Sequence, residues 1–173
     1  MPPSDGPPGH LVLVGLMGSG KSTVGRLLAA RLQRPFFDSD EMVEARTGRT
    51  VREVFETDGE AAYRPLETDA LLAALDRPEP AVIAAAGGVV LSAVNREALG
   101  RGATKVVWLR ASPQLLVGRA LRQDHRPLLE RDPHATMAQM AADRTGLYGE
   151  VADEIIDIDE LTPEQVADRV LAP

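Results

Sequence analysis

Short apolar runs alternate with stretches of helical periodicity along the whole chain. Residues 10–15 read HLVLVG, a leucine- and valine-rich run with no polar face, which predicts a strand buried in a parallel sheet. Over residues 22–34, Val24, Leu27, Leu28 and Leu32 recur at the spacing of one helix face. Phe36 and Phe37 then lead to Asp38 at a predicted second strand end. Helices are predicted over 40–46, 51–55 and 60–75, separated by Thr47-Gly48 and Asp58-Gly59. Pro78 and Pro80 mark a loop before a third strand at 81–85, which Gly87-Gly88 ends. A short helix at 95–99, a fourth strand at 105–109 and a helix opened by Ser112-Pro113 follow. Helical pieces at 137–143 and 147–152, a strand at 154–158 and a helix opened by Thr162-Pro163-Glu164 complete the chain. There is no internal repeat. Strand and helix in alternation predict an α/β fold, a single-domain three-layer sandwich with a central parallel sheet flanked by helices.

Bulk properties narrow the picture. A chain of 173 residues with 44% hydrophobic and 26% charged content fits one soluble domain. The net charge of -7 argues against a nucleic-acid partner. With no cysteine, disulfides, thiolate metal sites and cysteine nucleophiles are excluded. Residues 1–9 are proline-rich without an apolar run, which predicts a disordered or extended leader and not a secretory signal. No apolar stretch approaches spanning length, so the expectation is a cytoplasmic protein without membrane contact.

The chemistry begins at the first strand. Gly15-Leu16-Met17-Gly18-Ser19-Gly20-Lys21-Ser22 fits G-x-x-x-x-G-K-[ST] without a mismatch, between an apolar strand and an apolar-periodic helix. In that setting backbone N–H groups converge on phosphate oxygens, and the helix N-terminus adds positive potential. Lys21 is expected to reach the β- and γ-phosphates and Ser22 to hold Mg²⁺. The loop alone indicates an ATPase or a kinase and does not name an acceptor.

Asp38 and Asp40 supply two carboxylates at a strand end, where ligands of open α/β sheets bind. If the segment stays extended, both side chains point the same way. One carboxylate suits a Mg²⁺ shell and the other can take a proton from an attacking hydroxyl. An N-cap for the next helix is the competing explanation, and one residue can do both.

Six separate motifs in order then resemble the shikimate kinases, nucleoside-monophosphate-kinase-like enzymes built on the same phosphate loop. They are residues 14–25, Phe37-Asp38-Ser39-Asp40, Arg46-Thr47-Gly48, residues 54–60 with Tyr63, Arg64 and Glu67, Gly87-Gly88, and Arg126-Pro127-Leu128-Leu129 with Arg144, Tyr148, Val151 and Ala152. The resemblance runs from Leu11 to about Val170 and implies ATP and Mg²⁺ as cofactors, shikimate as acceptor and a monomer. It implies that Gly18, Ser19, Gly20, Lys21, Ser22 and Thr23 bind nucleotide phosphates, with Arg119 and Pro163 near the adenine. Ser22 and Asp38 would belong to the metal shell. Asp40 would hold the ring hydroxyls and orient or deprotonate the attacking one. Arg64, held by Glu67, and Arg144 would clamp the acceptor carboxylate. Gly87 and Gly88 would present backbone N–H groups, and Arg126 would meet the transferring phosphate from a lid. The acceptor region spans about 38–70 and the lid about 117–133.

The lid segment concentrates Arg119, Arg122, Arg126 and Arg131 with His125, charges expected to keep it open until a polyphosphate arrives. An exposed basic helix end is the alternative. Three departures from the family pattern stand out. Ala86 replaces a family glycine, adding a methyl group and disfavouring positive φ. Pro65 implies a kink or a late start in its helix. Asp157, Asp159 and Glu160 make the C-terminal adenine loop acidic. A kinase for another hydroxy acid or cyclitol such as gluconate, or a nucleotide-binding homologue without transfer activity, are the competing functions.

Overall fold

In a computed structural model, which describes residues 6–101, 104–122 and 131–173, the apolar runs form one sheet of five strands. These are β1 (Leu11–Val14), β2 (Phe36–Asp38), β3 (Val82–Ala84), β4 (Lys105–Arg110) and β5 (Glu154–Asp157). They lie in the order β2-β3-β1-β4-β5, and every neighbouring pair is parallel. Leu11 is level with Val82 and Lys105, and Asp38 is level with Ala84. That register brings the ends of β1, β2 and β3 to one edge of the sheet, where the glycine loop, Asp38 and Ala86 meet.

Eight helices are described: α1 (Lys21–Leu32), α2 (Ser39–Thr47), α3 (Val51–Asp58), α4 (Glu60–Leu75), α5 (Ala93–Leu99), α6 (Pro113–Arg122), α7 (Pro133–Val151) and α8 (Pro163–Leu171). A 3₁₀ turn at Val89–Leu91 follows the glycine pair. Alternate strand residues divide between the two faces. Val12, Val14, Ile83, Val106 and Trp108 pack with Leu71, Leu99, Leu116 and Tyr148, from α4, α5, α6 and α7. Leu11, Leu13, Val82, Val107 and Leu109 pack with Leu28 of α1 and Val166 of α8. A third, smaller cluster of Val43, Val54, Tyr63 and Ala70 ties α2, α3 and α4 together beside the sheet. Among the described residues, no helix is long and apolar enough to cross a membrane.

Two local expectations change. The pieces predicted at 137–143 and 147–152 belong to one helix, α7, which carries Gly146 and Gly149 in its interior. Each glycine costs about 1 kcal/mol of propensity, and the burial of Met137, Met140, Arg144 and Tyr148 along one face outweighs it. Pro65 does not delay α4, which begins at Glu60 and continues to Leu75. The N–H that proline lacks would have met the Ala61 carbonyl, and both residues are exposed, so water can serve that carbonyl. At the start of the chain, Arg34 donates from Nη1 to the Gly9 carbonyl at 3.0 Å and from Nη2 to that of Pro7 at 2.7 Å. Residues 1–5 of the expected leader, and residues 123–130 of the expected lid with His125 and Arg126, lie outside the described residues.

Candidate active site

The loop from Gly15 to Ser22 joins β1 to α1. Gly18 and Gly20 both adopt φ 84°, a left-handed conformation that only glycine takes without cost, and it turns successive N–H groups inward. No side chain caps α1 at Gly20, so its first-turn donors are available to an anion. Lys21 Nζ folds onto the loop, donating to the carbonyls of Gly15 at 2.7 Å and Leu16 at 3.1 Å. It also lies 3.5 Å from the Oγ of buried Ser19. Arg119, on α6, donates to the Gly18 carbonyl at 3.3 Å. A cavity of about 440 Å³ opens here, lined by Gly18, Gly20, Lys21, Ser22, Thr23, Arg119, Arg122 and Pro163. The structure thus gathers the nucleotide-side residues singled out from sequence, Arg126 excepted.

Asp38 caps the next helix and also meets Ser22, the other residue expected in the metal shell. Its Oδ1 accepts from the N–H groups of Asp40 at 3.0 Å and Glu41 at 3.3 Å, capping α2. Its Oδ2 accepts from the Ser22 hydroxyl at 2.5 Å. The cap starts the helix at Ser39, so the segment does not stay extended and the strand alternation expected for Asp38 and Asp40 does not hold. The two carboxylates still share a location, because both line the nucleotide cavity and the larger one beside it.

That second cavity, about 700 Å³, is lined by Asp40, Arg64, Glu67, Gly87, Gly88 and Arg144 among others. The first turns of α4 supply the arginine and its partner at i and i+3. Arg64 Nη1 donates to Glu67 Oε1 and Oε2 at 3.0 and 3.1 Å. Its Nε and Nη2 donate to Glu60 Oε1 at 3.1 and 2.5 Å. Glu67 is 2% exposed and Arg144, from α7, 6%. Burial holds the Glu67 carboxyl above the usual carboxylate range, while the charges of Arg64 and Arg144 pull it back.

Gly88 leaves room for the Arg64 guanidinium, whereas a Cβ on Gly87 would meet nothing closer than 3.4 Å. Neither Gly87 nor Gly88 has positive φ, but a Cβ on Gly88 would stand 1.8 Å from Arg64 Nη1. The Gly87 carbonyl accepts from the Tyr148 hydroxyl at 2.6 Å. Ala86 does not carry the strain expected of it. Among the described residues Gln33 is the one non-glycine with positive φ, and the methyl of Ala86 packs into the core. The Ala86 N–H donates to Ser39 Oγ at 2.8 Å, tying the end of β3 to the start of α2. The acidic C-terminal loop is likewise engaged in the fold. Asp157 binds Arg110 through both oxygens at 2.6 and 2.8 Å, and Asp159 accepts from Ser112 N–H at 2.9 Å.

Sequence reasoning gave no role to three groups that shape this cavity: the Ser39 hydroxyl, the Tyr148 hydroxyl and the hydroxyl of Tyr63, which donates to Asp40 Oδ1. One signal was available for the tyrosines. A phenol on an apolar helix face needs a polar partner for its hydroxyl, and Tyr63 and Tyr148 are 3% and 1% exposed.

Comparison with known proteins agrees with this geometry. The shikimate kinase family matches residues 17–173. The chain is 44% identical over 164 residues to a shikimate kinase of Pseudomonas syringae pv. tomato, covering 94% of each. A shikimate kinase from Acinetobacter baumannii, solved in complex with shikimate, superposes with TM-score 0.90 at 37% identity, over 97% of this chain and 92% of that one. The shikimate kinase of Bacteroides thetaiotaomicron gives 0.82 at 30% identity, over 94% and 96%. A phosphate loop opening onto a carboxylate- and arginine-lined pocket, with these likenesses over nearly the full length, places the chain in the shikimate kinase family of ATP-dependent phosphotransferases.

Proposed function

We propose that this protein transfers the γ-phosphate of ATP to the 3-hydroxyl of shikimate, giving 3-phosphoshikimate and ADP. The observation that carries the reading is the junction of the two cavities: Met17, Ser22, Asp38, Asp40, Ala86 and Gly87 line both. A phosphate held by the loop and a hydroxyl held in the larger cavity therefore meet at Asp38 and Asp40. Positioning of this kind supplies much of the acceleration in phosphoryl transfer.

Lys21 would exchange its loop carbonyls for the β- and γ-phosphates. Asp40 would orient the attacking hydroxyl and accept its proton. Arg64 and Arg144 would bind the acceptor carboxylate, as arginine forks suit a planar anion. Gly87 and Gly88 would offer backbone N–H groups, and Arg119 and Pro163 would flank the adenine. Arg126, outside the described residues, is assigned to the transferring phosphate in a lid.

Mg²⁺ fits the residues present. The Ser22 hydroxyl and the Asp38 carboxylate are hard oxygen donors brought together from α1 and β2. Mg²⁺ commonly keeps one or two protein ligands and takes the rest from phosphate and water. When bound, the ion would offset charge on the phosphate oxygens. We take the protein to act as a monomer, as the family resemblance implies, and place it in the cytoplasm.

The test is ADP release measured with shikimate, gluconate and a cyclitol as acceptors. Shikimate-dependent release is expected. Release only without shikimate, or only with another polyol acid, overturns the reading.

A further inference from the structure

We infer that Tyr63 is a positioning residue for the acceptor hydroxyl, acting through Asp40. This deepens the function proposed above and rests on it. Asp40 sits in the first turn of α2, a nine-residue helix, where the backbone alone leaves several rotamers open to an aspartate. The Tyr63 hydroxyl, reaching across from α4, donates to its Oδ1. The phenol is itself fixed. Its ring is 3% exposed, stacks on Phe55 of α3 at 4.6 Å between centroids, and packs with Val43, Val54 and Ala70. The Arg64 guanidinium stands 5.6 Å from the ring centroid on its way to Glu67.

Three helices therefore hold one hydroxyl, and that hydroxyl sets the plane of the Asp40 carboxylate. Burial, with the Asp40 and Glu67 charges beside it, pushes the Tyr63 phenol far above its ordinary value, so it stays a proton donor. With Oδ1 engaged by Tyr63, Oδ2 is the oxygen assigned to take the proton of the acceptor hydroxyl. Since reacting groups must be placed to within about 1 Å, a carboxylate free to rotate would bind acceptor yet seldom present its oxygen correctly. The signature is a loss in kcat with the ATP site untouched.

Tyr63→Phe keeps the ring and its packing and removes only the donor. The expected result is a kcat about 5- to 20-fold lower, with an unchanged KM for ATP and a melting temperature near that of the wild type. A double-mutant cycle with Asp40→Ala separates contact from general packing. In the Asp40→Ala background, Tyr63→Phe should leave acceptor affinity, measured by calorimetry, unchanged. The same cycle read in melting temperatures should show non-additivity. An unaltered kcat in Tyr63→Phe, a loss of equal size in ATP affinity, or additive melting temperatures in the cycle would overturn the inference. A wild type without shikimate turnover refutes the proposed acceptor instead. In that case the melting-temperature cycle, which needs no substrate, still decides whether Tyr63 and Asp40 are coupled.

Discussion

The two halves of the site are built by different means. The phosphate-binding part of the nucleotide half is local: one loop of consecutive residues, shaped by glycines at φ 84° and finished by the start of α1, with Arg119, Arg122 and Pro163 added around it from α6 and α8. Its donors are the backbone N–H groups of that loop and the Lys21 ammonium beside them. The acceptor half is assembled from separated segments: Asp40 on α2, Arg64 and Glu67 on α4, the glycine pair after β3 and Arg144 on α7. Its contacts run between side chains, several of them buried and charged. A contiguous loop is robust to changes elsewhere, whereas a composite pocket fails when any one contributor shifts.

Substitutions can break that contrast, beginning with the largest effect. Lys21→Met should lower ADP release by at least about 10³-fold, the scale of losing one preorganised charge at a transferring group. It donates to the carbonyls of Gly15 and Leu16, so the melting temperature should fall by no more than about 4 °C, the scale of a lost hydrogen bond. A residual rate within tenfold of wild type would contradict the assignment. Gly88→Ala comes next. Its Cβ would stand 1.8 Å from Arg64 Nη1, so the guanidinium must leave its place. The acceptor KM should rise by about 30-fold, the loss of a charged hydrogen-bonding partner, while the KM for ATP stays put. A parallel rise in both would mean the two halves are mechanically one.

Arg144→Lys replaces a fork with a point charge and should raise the acceptor KM by about tenfold. An unchanged acceptor KM would count against its contact with the carboxylate. The smallest effect is expected for Asp157→Asn. That residue pairs with Arg110 on the surface, and exposed pairs contribute less than about 1 kcal/mol. Chemical denaturation should detect little change and the KM for ATP should be unaltered. A large rise in that KM would put the acidic loop back in the nucleotide site.

The same contrast explains what the sequence made legible. The phosphate loop is a string with fixed spacing, so it was visible at once, as was the α/β order from the apolar runs. Asp38 was found because strand end and N-cap are both local features, though the alternation argument for Asp40 failed where the cap started a helix. The acceptor residues emerged through resemblance, because nothing local in Arg64 or Arg144 distinguishes a clamp from a surface charge. The Ser39 hydroxyl on the Ala86 N–H joins residues 47 positions apart, and the Tyr63 hydroxyl on Asp40 joins residues 23 apart. No periodicity reports such pairings. Ala86 brings no left-handed backbone, although the residue lines both cavities, and Pro65 brings no late helix start because the carbonyl it leaves is at the surface.

Glu67 has a consequence of a different kind, in the bookkeeping of charge. Two carboxylates share the Arg64 guanidinium: Glu67, which is buried, and Glu60, which is exposed. Together with Arg144 they leave two positive and two negative charges, so this corner of the cleft holds no surplus at rest. Glu60 can turn to solvent and Glu67 cannot. An incoming acid that displaced Glu60 alone would leave one positive charge for itself, and Glu67 would keep Arg64 in place during the exchange.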